Sequence, residues 1–265
     1  MTPDFLQRGR ILIVAAHPDD ETIGMGGQLG LPEDPYIVHV TDGAPRATPS
    51  RIRYAALRRR EFEAAMVLAG IERDRCLELG AIDQESSFGL SHLTRLLCGR
   101  LKEIRPQVVL THAYEGGHPD HDACAFIVQA AVYLLKRRGI ELPLRAEFTS
   151  YHNGSPHSVS SAMVAGAFLP GPPETTVSLP AAAQSRKRRM LDCFGSQEQV
   201  LREFPISEER FRVAPEYDFL EAPHSGNLYY EDKNWGLSGR QWRYLALLAA
   251  RDLRYAKLAD KTCVT

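Results

Sequence analysis

The sequence predicts an α/β fold, a mostly parallel sheet with helices on both faces, and three observations carry that prediction. Along the first 150 residues, short apolar runs alternate with segments whose apolar residues recur at helical spacing. The first run, Ile11-Leu12-Ile13-Val14-Ala15, has no polar alternation, as expected of a strand buried on both faces of a parallel sheet. Two clusters rich in His and Asp follow apolar runs, residues 16–21 directly behind Ile11 to Ala15 and residues 116–122 after Val108-Val109-Leu110. They therefore lie at the carboxyl ends of strands, where open α/β sheets bind ligands.

In chain order, strands are expected at 11–16, 36–41, 75–79, 107–111 and 146–151, with another near 162–168. Helices fill the gaps. Residues 22–29 form a glycine-rich helix entry in which Gly24, Gly26 and Gly27 permit close packing. Residues 52–68 and 91–104 carry apolar residues at helical spacing, the second set ended by Pro106, and a further helix spans 124–135. Right-handed crossovers between parallel strands make the sheet Rossmann-like. The stretch Gly24-Met25-Gly26-Gly27 lacks the spacing of a dinucleotide-binding loop.

After Tyr151 the texture changes. Residues 154–161 are turn-rich and hold histidine, Pro170-Gly171-Pro172-Pro173 is a firm break, and a helix follows at 181–193. Residues 205–234 are rich in aromatic and turn residues, and 241–257 read as a terminal amphipathic helix. No linker-like composition separates the halves. The expectation is one domain over 1–265: an α/β core with the site over 1–150, then pocket-lining loops and a C-terminal helix packed onto it.

Composition excludes several classes. With 265 residues, 44% hydrophobic, 25% charged and net charge −1, the chain has material for a sizeable core but no electrostatic footprint for nucleic acid or an anionic membrane. The basic run Arg186-Lys187-Arg188-Arg189 reads as a solvated helix face. Five widely spaced cysteines, with no Cys-x-x-Cys pair, argue against a disulfide framework and a thiolate zinc site. No apolar signal region precedes Ile11 and no stretch approaches membrane-spanning length, so the expected location is cytoplasmic. Oligomeric state is not legible.

The clusters themselves carry chemistry. His17-Pro18-Asp19-Asp20-Glu21 sets an imidazole beside three carboxylates that would repel one another without a cation. Gly116-Gly117-His118-Pro119-Asp120-His121-Asp122 repeats the pattern about a hundred residues later. Neutral imidazole and carboxylate oxygen both bind zinc and related metals, and two strand ends meeting in one crevice give a three-ligand site with room for water.

These paired motifs resemble those of the PIG-L/LmbE-like N-acetylglucosaminyl deacetylases. The resemblance extends to Thr41-Asp42-Gly43, to Arg58-Arg59-Arg60-Glu61 and to Asp83, and is weaker after residue 150, where 187–197 is the best match. It implies a zinc-dependent N-deacetylase, iron(II) also suiting the donors, that acts on a small N-acetylated amino sugar or its conjugate through metal-activated water. His17, Asp20 and His121 are then the metal ligands and Asp19 the general base, unless Asp19 only orients His17 or caps the next helix. His118 faces the oxyanion as a protonated imidazole, with Asp120 holding it in one tautomer; alternatively Asp120 is a helix N-cap and His118 a turn residue. Arg58 and Asp83 fall where the family contacts sugar hydroxyls, although Arg58 also reads as a surface arginine. Of the other histidines, His112 lines the crevice or packs, and His224 comes nearest the pocket without being a ligand. The alternatives are a metal-dependent phosphoesterase, which usually needs a second metal and more carboxylates, and a catalytically silent sugar-binding module.

Overall fold

In the computed structural model, which describes residues 3–7, 9–154 and 163–255, the first apolar run is a strand fully buried from Ile11 onward. This strand, β1 (Arg10–Ala15), leads into the short helix α1 (Asp20–Met25), then β2 (Asp34–Pro45) and α2 (Arg51–Ala69). Next come β3 (Cys76–Asp83), α3 (Leu90–Ile104), β4 (Val108–His112), α4 (Pro119–Lys136) and β5 (Leu144–Phe148). The second half holds β6 (Tyr151–Asn153), β7 (Met163–Ala165), β8 (Glu174–Ser178), α5 (Ala181–Leu191), α6 (Glu198–Leu201), β9 (Glu208–Val213), α7 (Tyr229–Asp232) and α8 (Gly239–Asp252).

Seven strands form one sheet in the order β3-β2-β1-β4-β5-β9-β8. The first five are parallel; β9 runs antiparallel to both β5 and β8. β6 and β7 make a separate antiparallel pair. The chain leaves β1 towards β2 on one side, and β4 lies on the other, so β1 and β4 flank the topological switch point where a ligand crevice opens. Successive residues of β1 point to opposite faces. Leu12 and Val14 pack with α3, α4 and α8, whereas Ile11 and Ile13 pack with α1, α2 and α5. Both faces are thus dry, which is why β1 could be all apolar.

Four expectations need correction. The strand expected at 146–151 is two strands, β5 and β6, in different sheets, and the one near 162–168 is the short β7, its first residue lying outside the described ones. Residues 205–234 contain the sheet strand β9, and β8 was missed beside it. The helices expected from Thr22 and Cys124 begin earlier, at Asp20 and Pro119, so Asp20 and His121 sit in first helical turns. There the helix dipole favours carboxylates such as Asp20, Asp120 and Asp122. The turn at 154–161, with His157, lies outside the described residues after Gly154.

Candidate active site

The carboxyl ends of β1 and β4 bring the two clusters together. Thr41, on β2, donates from both its backbone N–H and its hydroxyl to Ala16 O, each at 2.9 Å, anchoring the chain just before His17. His17, Asp19, Asp20, His118 and His121 then line a cavity of about 250 Å³ with Arg58 and Asp83.

Asp20 is 3% exposed, and its carboxylate meets imidazoles on several sides. Asp20 Oδ2 accepts the His17 backbone N–H at 2.8 Å and faces His17 Nδ1 at 3.2 Å; Asp20 Oδ1 faces His121 Nε2 at 3.2 Å. Burial opposes charge on Asp20, but His121 and His112 outweigh it and hold its carboxyl well below the usual range. One nitrogen each of His17, His118 and His121 lies within 4.8 Å of the others. His121 Nδ1 is buried with no hydrogen-bond partner among the described residues. Buried carboxylate and imidazole donors converging in this way fit a divalent cation.

His112 stacks on His121, with ring centroids 4.0 Å apart and planes 9° from parallel. Its Nε2 accepts the Ala16 N–H at 3.1 Å and its Nδ1 lies 2.9 Å from Ser150 Oγ, which fixes a neutral ring protonated on Nδ1. Burial and His121 push its pKa down to about 4, in keeping with that state. With its lone pair engaged by Ala16, His112 supports its neighbour.

Asp19 has φ of 141° and ψ of −28°, a strained backbone for a residue with a side chain. Its N–H donates to Glu21 Oε2 at 3.2 Å, and Glu21 is held in turn by His39 Nε2 at 2.9 Å and by the Thr22 hydroxyl at 2.7 Å. Although Asp19 occupies the N-cap position of α1, its side chain makes no capping bond. The carboxylate turns to Arg58, whose two terminal nitrogens each lie 3.3 Å from Asp19 Oδ2. Burial, opposed by Arg58, pushes the Asp19 carboxyl up to about 7. The surface reading of Arg58 is wrong: it is 2% exposed, and its partner is Asp19.

Asp120 also departs from expectation. Its Oδ2 is 3.8 Å from His118 Nδ1 but hydrogen-bonds His17 Nε2 at 3.1 Å. The carboxylate also accepts the backbone N–H groups of Gln84 at 2.6 Å and Ser86 at 3.1 Å, and the Ser86 hydroxyl. Asp83 Oδ1 lies 3.2 Å from the same His17 nitrogen. Burial works against charge on His17, but Asp83, Asp120 and Asp20 outweigh it and hold its pKa well above the ordinary value. The carboxylate thus orients His17, while the Asp120 backbone N–H donates to His118 Nδ1 at 3.1 Å. His118 is the N-cap of α4, the place the sequence reading offered Asp120. Its Nδ1 is an acceptor, and burial and His17 hold its pKa well below the ordinary value. The expected imidazolium is a neutral ring here, with its proton on Nε2, the nitrogen 3.9 Å from Asp83 Oδ1.

Sequence reasoning expected loops of the second half to line the pocket but named none of the residues that do. Tyr151, Met163, Gln197, Phe204, Tyr229 and Trp235 all line the cavity, whereas His224 does not. The aromatic richness of 205–234 was the signal for Tyr229 and for Trp235, which directly follows that stretch.

The PIG-L family, described as GlcNAc-PI de-N-acetylase, matches residues 12–132, the stretch that carries both clusters. The chain is similar to that family over this segment. A curated relative, the 1D-myo-inositol 2-acetamido-2-deoxy-alpha-D-glucopyranoside deacetylase of Tsukamurella paurometabola, is 32% identical over 162 residues, covering 46% of this chain and 54% of that protein. The chain thus spans about half the length of the curated relatives it matches. Among solved structures, a deacetylase of the teicoplanin biosynthesis pathway superposes with a TM-score of 0.56 at 17% identity, over 76% of this chain and 96% of that one. GalB, the 4-carboxy-2-hydroxymuconate hydratase of Pseudomonas putida KT2440, gives 0.54 at 16% identity, over 80% and 98%. At such identities the likeness is one of fold, and a deacetylase and a hydratase share it, so the site's own residues have to carry the chemistry.

Proposed function

We propose that this protein is a metal-dependent N-deacetylase that removes the acetyl group from the nitrogen of an N-acetylated amino sugar or its conjugate. The observation that carries the reading is the meeting of two elements in one cavity. A His/Asp donor set suited to a divalent cation lies beside a carboxylate, Asp19, which is turned away from its helix and held by Arg58. The PIG-L match and its deacetylase relatives support the same class.

In this reading His17, Asp20 and His121 hold zinc, or iron(II), since these donors suit both. The ion, when bound, polarises the acetamide carbonyl and lowers the pKa of water beside it. Asp19 takes the proton from the attacking water and passes it to the departing amine. Arg58 fixes which oxygen of Asp19 is free to act. His118, neutral with its proton on Nε2, donates a hydrogen bond to the developing oxyanion. Asp83 completes the set by accepting a substrate hydroxyl.

Acetate release from a panel of N-acetylated sugars, glycosides and small amides tests the reading. Acetate is expected from acetamido sugars, together with stronger inhibition by a hydroxamate or phosphonate mimic of the tetrahedral intermediate than by a substrate analogue. Hydrolysis of phosphate esters with none of any acetamide would favour a phosphoesterase. Tight sugar binding without turnover would favour a silent binding module.

A further inference from the structure

The cavity has two unlike sets of lining residues. Arg58 on α2 and Asp83 at the end of β3 supply charge. The second half of the chain supplies a row of rings: Trp235 to Tyr229 at 6.0 Å between centroids, Tyr229 to Tyr151 at 5.3 Å and Tyr151 to Phe204 at 6.1 Å. Trp235, partly exposed, sits against the chemistry, its ring 4.6 Å from that of His118 and tilted by 49°.

We propose that Trp235 is the platform on which the pyranose ring of the substrate stacks, and that it makes the protein select acetamido sugars over open-chain acetamides. The inference deepens the deacetylase reading and rests on it. A pyranose has an apolar C–H face and a rim of hydroxyls, so it needs both an aromatic surface and charged groups that accept and donate hydrogen bonds. This cavity offers both next to the His17–Asp20–His121 cluster. Its volume of about 250 Å³ falls just below the range for drug-sized ligands and suits one sugar unit, with any aglycone left outside. A small acetamide without a ring uses only the cluster and leaves Trp235 uncovered.

The test compares the metal-loaded wild-type protein with W235A and W235F on two substrates, methyl 2-acetamido-2-deoxyglucoside and N-acetylethanolamine. For W235A, kcat/KM is expected to fall about tenfold further on the glycoside than on the open-chain amide, whatever the change through His118 common to both; W235F should keep most of the glycoside activity. Fluorescence gives a second readout. The chain has two tryptophans, and Trp242 is fully buried with its indole N–H donating to Pro119 O at 3.1 Å. Methyl glucosaminide should therefore change the emission of the wild type but not that of W235F. Equal loss on both substrates in W235A, or a fluorescence response surviving in W235F, overturns the assignment. Should no acetamide be hydrolysed even by the wild type, the deacetylase reading fails, and the fluorescence comparison alone decides whether Trp235 meets a sugar.

Discussion

At the scale of single residues, the site depends on a few carboxylates with separate tasks. In the proposed mechanism Asp19 is the base, so Asp19→Ala should retain metal and fold and lose turnover by about a hundredfold or more; acetate-release kinetics beside elemental analysis check it. Loss of metal in that variant would place Asp19 among the ligands instead. Asp120 is the more discriminating case, because its carboxylate holds His17 and not His118. Asp120→Asn keeps one acceptor oxygen, for Ser86, and replaces the oxygen shared by Gln84 and His17 with an amide NH2, which removes the charge beside His17. The expected result is a weakening of metal affinity by about 10- to 100-fold in chelator competition. If Asp120 served His118 alone, metal affinity would stay unchanged while turnover fell. Gly117 also tolerates no side chain: a Cβ there would lie 1.9 Å from Tyr151 O. Gly117→Ala should therefore shift His118 or Tyr151 and reduce kcat/KM by about tenfold or more with metal content unchanged. Residue types at this scale were largely legible, since His17, Asp19, Asp20, His118 and His121 do line one cavity. What the sequence left dark was which atom faces which, and the Asp120 assignment went wrong for that reason.

At the scale of elements, α1 carries Asp20 in its first turn and is braced at its other end. Buried Lys187 of α5 donates to Ile23 O at 2.8 Å and to Glu209 Oε1 of β9 at 2.9 Å, and that oxygen also accepts the Gly27 N–H at 2.7 Å. The basic run was expected to be solvated, yet Lys187 is 1% exposed. Lys187→Met leaves Glu209 buried without its counter-charge, at a cost of about 3–5 kcal/mol. Calorimetry should show a clearly lower Tm, and metal titration a weaker affinity, because the helix presenting Asp20 loses its anchor. Lys187→Met with Glu209→Leu should recover much of the Tm. The same contacts explain why β9 was not legible. In Glu208-Glu209-Arg210-Phe211-Arg212-Val213 four of six residues are charged, which reads as surface. Glu209 and Arg212 are nevertheless buried, since Lys187 and Glu147 pair with them. The apolar runs of β1 and β4 needed no such partners and located those strands at once.

At the scale of the whole molecule, a second charged cluster ties the site loop to the sheet edge. Arg212 donates from Nε to Glu147 at 2.8 Å and from Nη2 to Glu115 at 3.3 Å, and Glu115 also accepts the Leu169 N–H at 2.7 Å. Two buried carboxylates share one guanidinium. Burial, opposed by Arg212, pushes Glu115 up to about 8 and Glu147 up to about 7. Both folded values exceed the unfolded value near 4.3, so between these pH values the native state binds more protons than the unfolded chain. Their contribution to stability is complete below about pH 4 and is lost as pH rises towards 8. Denaturant melts at pH 5, 7 and 9 should show stability falling over that window, and Glu115→Gln should flatten the fall. A pH dependence unchanged in Glu115→Gln would remove Glu115 from the account. The two-part lining of the cavity has a further consequence for engineering. Because the His/Asp cluster comes from residues before 122 and the rings come from residues after 150, a chimera that keeps the first half with Lys187, Glu209 and Arg212, and receives the rest of the second half from a similar deacetylase, should retain the proposed hydrolysis and acquire new selectivity. If the proposed roles hold, recognition is transplantable as long as those three anchoring side chains travel with the site.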